Sequence, residues 1–207
     1  NDLISAPLTG QAFNTFATAN PNILNNGTLY LFGPFDKTTG TYLTYAGTET
    51  TTLNAGVGYR AASSDNGTFT FTGTANNTLV SVDIINSGPS SPAEEEWNLV
   101  GNPYPSYLNV QAFLNHVVST GVTNLNLMNA GTAAIYGYDG NALDDWTIYN
   151  LANTSASTVI APGQGFFVNS NVASTSVTFT KAMQSDQNGV TFYRNTDPRI
   201  SLSLTNG

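Results

Sequence analysis

One sequence unit occurs twice in this chain, so whatever fold it takes must be taken twice. Leu53-Asn-Ala-Gly-Val-Gly-Tyr-Arg-Ala61 matches Ile160-Ala-Pro-Gly-Gln-Gly-Phe-Phe-Val168 at an offset of 107 residues, both reading apolar-x-x-Gly-x-Gly-aromatic. Thr68-Phe-Thr-Phe-Thr-Gly73 matches Ser176-Val-Thr-Phe-Thr-Lys181 at offset 108. Upstream, Asp36 and Tyr42-Leu-Thr-Tyr45 match Asp139 and Trp146-Thr-Ile-Tyr149 at offsets 103 and 104. Leu3-Ile-Ser-Ala-Pro7 pairs with Leu99-Val-Gly-Asn-Pro103, and Gln11-Ala-Phe13 with Gln111-Ala-Phe113. Leu79-Val-Ser-Val-Asp-Ile84 resembles Arg199-Ile-Ser-Leu-Ser-Leu204, so the blocks recur in one order at offsets rising from 96 to 120. An ordered set of this kind is a duplication with loop insertions.

Each copy reads as strands. Phe69 and Phe71 alternate with threonines, and Val80, Val82 and Ile84 alternate with Ser81 and Asp83. Period-two patterning with polar partners predicts antiparallel sheets with one wet face. The glycines of Gly56-Val-Gly58 and Gly163-Gln-Gly165 suit a tight turn or bulge that feeds a buried aromatic strand. The expected fold is an all-β, antiparallel, jelly-roll-like sandwich of two repeats about a pseudo-twofold axis. One segment departs from it: Val110, Phe113, Leu114 and Val117 follow helical spacing behind Asn109, a good N-cap, which predicts a short helix over 109–118. The repeats span 1–88 and 97–207, with the Pro/Ser-rich, acidic stretch 89–96 as linker. A linker so short favours two copies packed as one unit over two sandwiches in tandem.

Composition narrows the partners. The 13 acids and 5 bases give a net charge of −8, and the bases Lys37, Arg60, Lys181, Arg194 and Arg199 form no run. Nucleic acid and anionic membrane both reward clustered Lys/Arg, so neither is expected. No apolar stretch approaches the ~18 residues of a membrane span, so no membrane insertion is expected. Only 9% of residues are charged, against roughly 25% in ordinary soluble domains. Thr, Asn, Ser and Gly cover the surface instead, a pattern of extracellular β-proteins. The chain has no cysteine, which excludes a disulfide framework, thiol catalysis and Cys-based zinc sites. The Asn-Asp-Leu start, without an initiator methionine, reads as a piece of a longer protein, with neighbouring domains and a monomeric state expected.

Trp97-Asn-Leu-Val-Gly-Asn-Pro-Tyr-Pro105 and Ile160-Ala-Pro-Gly-Gln-Gly-Phe-Phe-Val168 resemble the β-rich regions found upstream of type IX secretion sorting domains in large secreted proteins of the Bacteroidetes. The resemblance covers nearly the whole chain and implies export to the cell surface or the medium. It implies no ligand and no catalytic residues.

The densest chemical constellation is Tyr136, Tyr138, Asp139, Asp144, Asp145 and Trp146. A Trp and Tyr pair could stack on sugar rings while Asp and Asn side chains bond the hydroxyls. Alternatively the same rings are core, and Tyr30, Phe32 and Tyr42 of the first copy, taken as their equivalents, favour that. Asp139, Asp144 and Asp145 offer hard oxygens for Ca²⁺, although an Asp-Gly-Asn hairpin turn explains Asp139 without metal. His116 has no Ser or Cys partner at a recognisable spacing, and Glu94 to Glu96 form a solvated run rather than a carboxylate pair across a cleft. With no nucleophile elbow, phosphate loop or His-based metal motif, no enzyme is expected. The expected functions are a polysaccharide-binding module of a secreted protein or a structural/adhesion spacer before a sorting domain. Residues that differ between the copies, Asp144, Asp145 and the helix with its Asn-Pro-Tyr-Pro turn, mark where a site would have been added.

Overall fold

The computed structural model describes residues 2–87, 96–138 and 146–186. The first copy supplies β1 (Asp2–Ser5), β2 (Leu8–Thr9), α1 (Phe13–Ala19), β3 (Phe32–Asp36), β4 (Thr41–Tyr42), β5 (Gly58–Ala61), β6 (Thr74–Ala75) and β7 (Val80–Ile84). The second supplies β8 (Trp97–Gly101), β9 (Tyr107–Asn109), α2 (Val110–Leu114), β10 (Val117–Ser119), β11 (Val122–Thr123), β12 (Ile135–Tyr138) and β13 (Trp146–Tyr149). It ends with β14 (Val159–Ile160), β15 (Gly165–Asn169), β16 (Thr175–Phe179) and β17 (Gln184–Ser185). The fold is all-β and sandwich-like, as its alternating patterns require.

The duplication is visible as topology. The first copy's main sheet runs β1-β5-β3-β4 and the second's runs β8-β15-β12-β13, the same order of equivalent strands, all antiparallel. The copies also bond to each other reciprocally. Ile4 bridges Gln164 as Val57 bridges Val100. The Ser5 N–H donates to the Gly163 carbonyl at 2.8 Å, and the Gly101 N–H donates to the Gly56 carbonyl at 2.9 Å.

Both glycines of each Gly-x-Gly motif now have a reason. Gly56 and Gly163 hold φ of 81° and 70°, where only glycine is unstrained. Gly58 and Gly165 press against the first strand of the other copy. A Cβ on Gly58 would stand 2.8 Å from the Val100 carbonyl oxygen, and one on Gly165 2.8 Å from that of Ile4. The motif therefore joins the copies rather than only turning the chain.

Each copy wraps its own core. Ile4, Phe13, Phe16, Phe32, Leu53, Tyr59, Phe69 and Phe71 build the first, and Val100, Tyr104, Phe113, Ile135, Ile160, Phe166, Val177 and Phe179 belong to the second. Fully burying each large apolar side chain is worth about 1.5–3 kcal/mol. The helix expected over 109–118 is shorter, Val110–Leu114, with the Asn109 Oδ1 accepting from the Ala112 N–H at 2.8 Å. It ends because Val117 belongs to the β10–β11 hairpin and is exposed. Nor is the helix an insertion peculiar to the second copy. α1 stands at the equivalent place, with Phe13, Phe16 and Ala17 buried at helical spacing.

The hydrogen bonds also correct the alignment near these helices. The Phe13 N–H donates to the Thr51 carbonyl as the Val110 N–H donates to that of Thr158, each at 3.0 Å. The offset there is 97, so Phe16, not Phe13, corresponds to Phe113, and the Gln-Ala-Phe match is three residues out of register.

Candidate functional site

The second sheet presents one continuous apolar row on the face turned away from its core. Across β13, β12, β15 and β8 the register places Ile148 beside Tyr136, Tyr136 beside Phe167, and Phe167 beside Leu99. Trp146 beside Tyr138 forms the next row, and Trp97 lies two residues from Leu99 on β8. Residues i and i+2 of a strand share a face, so these side chains rise together. Phe35 and Tyr42 of the first copy close the far side.

The result is an open cleft of about 400 Å³ lined by Phe35, Tyr42, Trp97, Tyr136, Trp146, Ile148 and Phe167, within the roughly 300–1,000 Å³ usual for small-molecule sites. Phe167 is its floor, 7% exposed, while Trp146 and Ile148 are 41% and 42% exposed at its rim. Rings meet Phe167 edge-on: Phe35 at 5.1 Å and 88°, Trp146 at 5.7 Å and 72°, and Trp97 at 6.5 Å and 88°. Trp97 also stands across Tyr136 at 4.8 Å and 82°. Edge-to-face contacts are favourable for aromatic quadrupoles. They make walls at right angles rather than a flat array.

Among the described residues, the titratable groups in the lining are two phenols. Burial pushes Tyr42 up to about 12, with Arg60 opposing and Tyr138 adding to the shift. Burial, with a smaller contribution from Glu96, also raises Tyr136, whose hydroxyl donates to the Thr132 carbonyl at 2.9 Å. Both are neutral at ordinary pH.

Trp146 and Tyr136, named from sequence, line this cleft. Tyr138 is not among its lining residues and stands 5.4 Å from Trp146 with the rings tilted by 55°. Asp139, Asp144 and Asp145 lie outside the described residues, and with them the possible Ca²⁺ ligands. Among the described residues no group of three His, Cys, Asp or Glu is placed to hold a metal ion. Trp97, Phe167, Phe35, Tyr42 and Ile148 were not singled out from sequence. The usable signal was alternation: Trp97 with Leu99, and Trp146 with Ile148.

The aromatics were expected to recur between copies, and here the structure corrects the pairing. Gly33 pairs with Arg60 as Tyr136 pairs with Phe167, and Phe35 pairs with Tyr42 as Tyr138 pairs with Trp146. Tyr136 thus corresponds to Gly33, Tyr138 to Phe35 and Phe167 to Arg60. Tyr30 and Phe32 are equivalents of none of the named aromatics. The cleft's floor and one wall exist in the second copy alone.

A family model described as a domain of unknown function, DUF8693, matches residues 2–205. The chain belongs to the DUF8693 family. No curated protein and no solved structure gives a significant match to this DUF8693 domain.

Proposed function

We propose that this DUF8693 domain is a non-catalytic binding module of an extracellular protein and that the aromatic cleft takes a carbohydrate. The observation that carries the reading is the cleft itself: rings with accessible faces, half-exposed at the rim, over a floor that the first copy lacks. Sugar C–H groups pack on such faces, and the apolar area covered supplies most of the gain. Walls at right angles suit one ring or a chain end inserted into a slot. They do not suit a flat polymer surface, which needs coplanar rings. Neutral phenols and indoles offer neither a general base nor a nucleophile, which favours binding over catalysis. The sparse charge and Thr/Asn-rich surface, with the resemblance to regions upstream of type IX sorting domains, support a place at the cell surface or in the medium.

Affinity electrophoresis through a panel of soluble polysaccharides tests the reading. The expected result is retardation of the wild type by at least one polymer and its loss in Trp146→Ala. Free migration of the wild type through every polymer would overturn it. A spacer role, linking other regions of a longer chain, is the second reading. It draws on the reciprocal bonds of the two copies, which spend the Gly-x-Gly motifs on cohesion.

A further inference from the structure

One strand of the second copy, β16, finds its partner in the first copy's chain. β16 pairs antiparallel with β7, Val177 beside Val82, Thr178 beside Ser81 and Phe179 beside Val80. β7 ends the first copy in sequence, yet Val82 and Ile84 are buried in the second copy's core while Ser81 and Asp83 are exposed.

The first copy's equivalent of β16 is 68–72, and a side-chain clamp fixes that equivalence. Asn124 Nδ2 donates to the carbonyls of Phe113 and Thr178, and its Oδ1 accepts from the Thr178 N–H. Asn20 does the same for Phe16 and Thr70. Thr70 therefore corresponds to Thr178, Phe69 to Val177 and Phe71 to Phe179. All four of those apolar side chains are buried. The difference lies on the other edge. Val177 and Phe179 have β7 beside them, whereas no strand pairs with 68–72 among the described residues. The backbone groups of Phe69 and Phe71 have no hydrogen-bond partner there either. A segment that buries Phe69 and Phe71 while one of its edges stays bare is costly, because its N–H and C=O groups need partners.

The sequence contains a matching pattern. Ile200, Leu202 and Leu204 alternate with Ser201 and Ser203 as Val80, Val82 and Ile84 alternate with Ser81 and Asp83. We propose that the 68–72 edge is a strand-acceptor site and that this chain's own segment 199–204 fills it. Each copy is then closed by the end of the other copy's chain. Carrying the β7–β16 register across sets Phe69 beside Leu202, Thr70 beside Ser201 and Phe71 beside Ile200. Apolar side chains at alternate positions give the segment its fit, and the ladder gives the pairing.

The chain has no cysteine, so engineered pairs report unambiguously. Thr178 points its backbone groups at Asn124, which makes Thr178–Ser81 a non-hydrogen-bonded pair, the kind with Cα atoms about 4.5 Å apart and within disulfide reach. In the full chain, Thr70→Cys with Ser201→Cys is expected to close an intramolecular disulfide on mild oxidation. The out-of-register pair Thr70→Cys with Ser203→Cys is expected to close roughly tenfold less. In the unmodified chain, hydrogen exchange should show the Phe69 and Phe71 amides as protected as those of Val177 and Phe179. Leu202→Asp should remove that protection while leaving β7–β16 intact. Equal closure in both registers, closure in neither, or fast exchange at Phe69 and Phe71 would each overturn the proposal. A disulfide between two chains assigns the donor strand to a second copy and overturns it too.

Discussion

The same sheet face serves two purposes in the two copies. In the first, Gly33, Arg60 and Leu3 lie in one row across β3, β5 and β1. The chain at Leu43 comes so close that a Cβ on Gly33 would stand 2.2 Å from its carbonyl oxygen, and the Arg60 guanidinium lies 4.3 Å over the Tyr42 ring. That face is filled by its own backbone and a cation–π contact. In the second copy Tyr136 and Phe167 take the places of Gly33 and Arg60, and the face opens into an aromatic cleft. The two copies share what joins them, and their differences on one face make packing in the first and a cleft in the second.

If the halves are equivalent at their junction, equivalent changes there must cost alike. Gly58→Val and Gly165→Val each drive a side chain into the other copy's backbone and should destabilise by more than about 3 kcal/mol in urea denaturation. A large inequality between them would break the comparison at its root. Asn20→Ala and Asn124→Ala each orphan a backbone N–H and two carbonyls, at about 2–3 kcal/mol each. Trp146→Ala sharpens the contrast from the other side. Its side chain is 41% exposed on an edge strand, so the expected stability change is under about 1 kcal/mol, with polysaccharide retention lost.

The smallest effect separates the two cores by pH. Tyr59 sits in the first core where the second has Phe166, and burial raises its pKa well above the usual tyrosine range. Its folded-state pKa lies above the unfolded one, so the stability it contributes is whole below about pH 10 and is lost as pH rises through the folded value. Tyr59→Phe should therefore shift the alkaline unfolding midpoint upward. An unchanged midpoint would place the alkaline sensitivity elsewhere, first with Tyr42 and Tyr104, both pushed up to about 12 by burial.

Much of the fold was legible in the residues. The Gly-x-Gly-aromatic blocks and the strand at 80–84 follow from repetition and alternation, and Asn109 announced α2. α1 was not read, because Asn14, Thr15 and Thr18 are poor helix formers that mask the spacing of Phe13, Phe16 and Ala17. The Gln-Ala-Phe match misled because three residues of local identity outweighed a register that only backbone hydrogen bonds reveal. Of the cleft, the strand that carries Trp146 was visible, but its company was not. Trp97, Phe167 and Tyr136 come from strands far apart in sequence, and their convergence is a property of sheet order.

Both tryptophans of the chain, Trp97 and Trp146, line the cleft, so indole fluorescence reports on that site and no other. Titrating the full chain with oligosaccharides from a retarding polymer should give a saturable blue shift and protection from acrylamide quenching. Retention of a polysaccharide with unchanged tryptophan emission would contradict the cleft as the binding site.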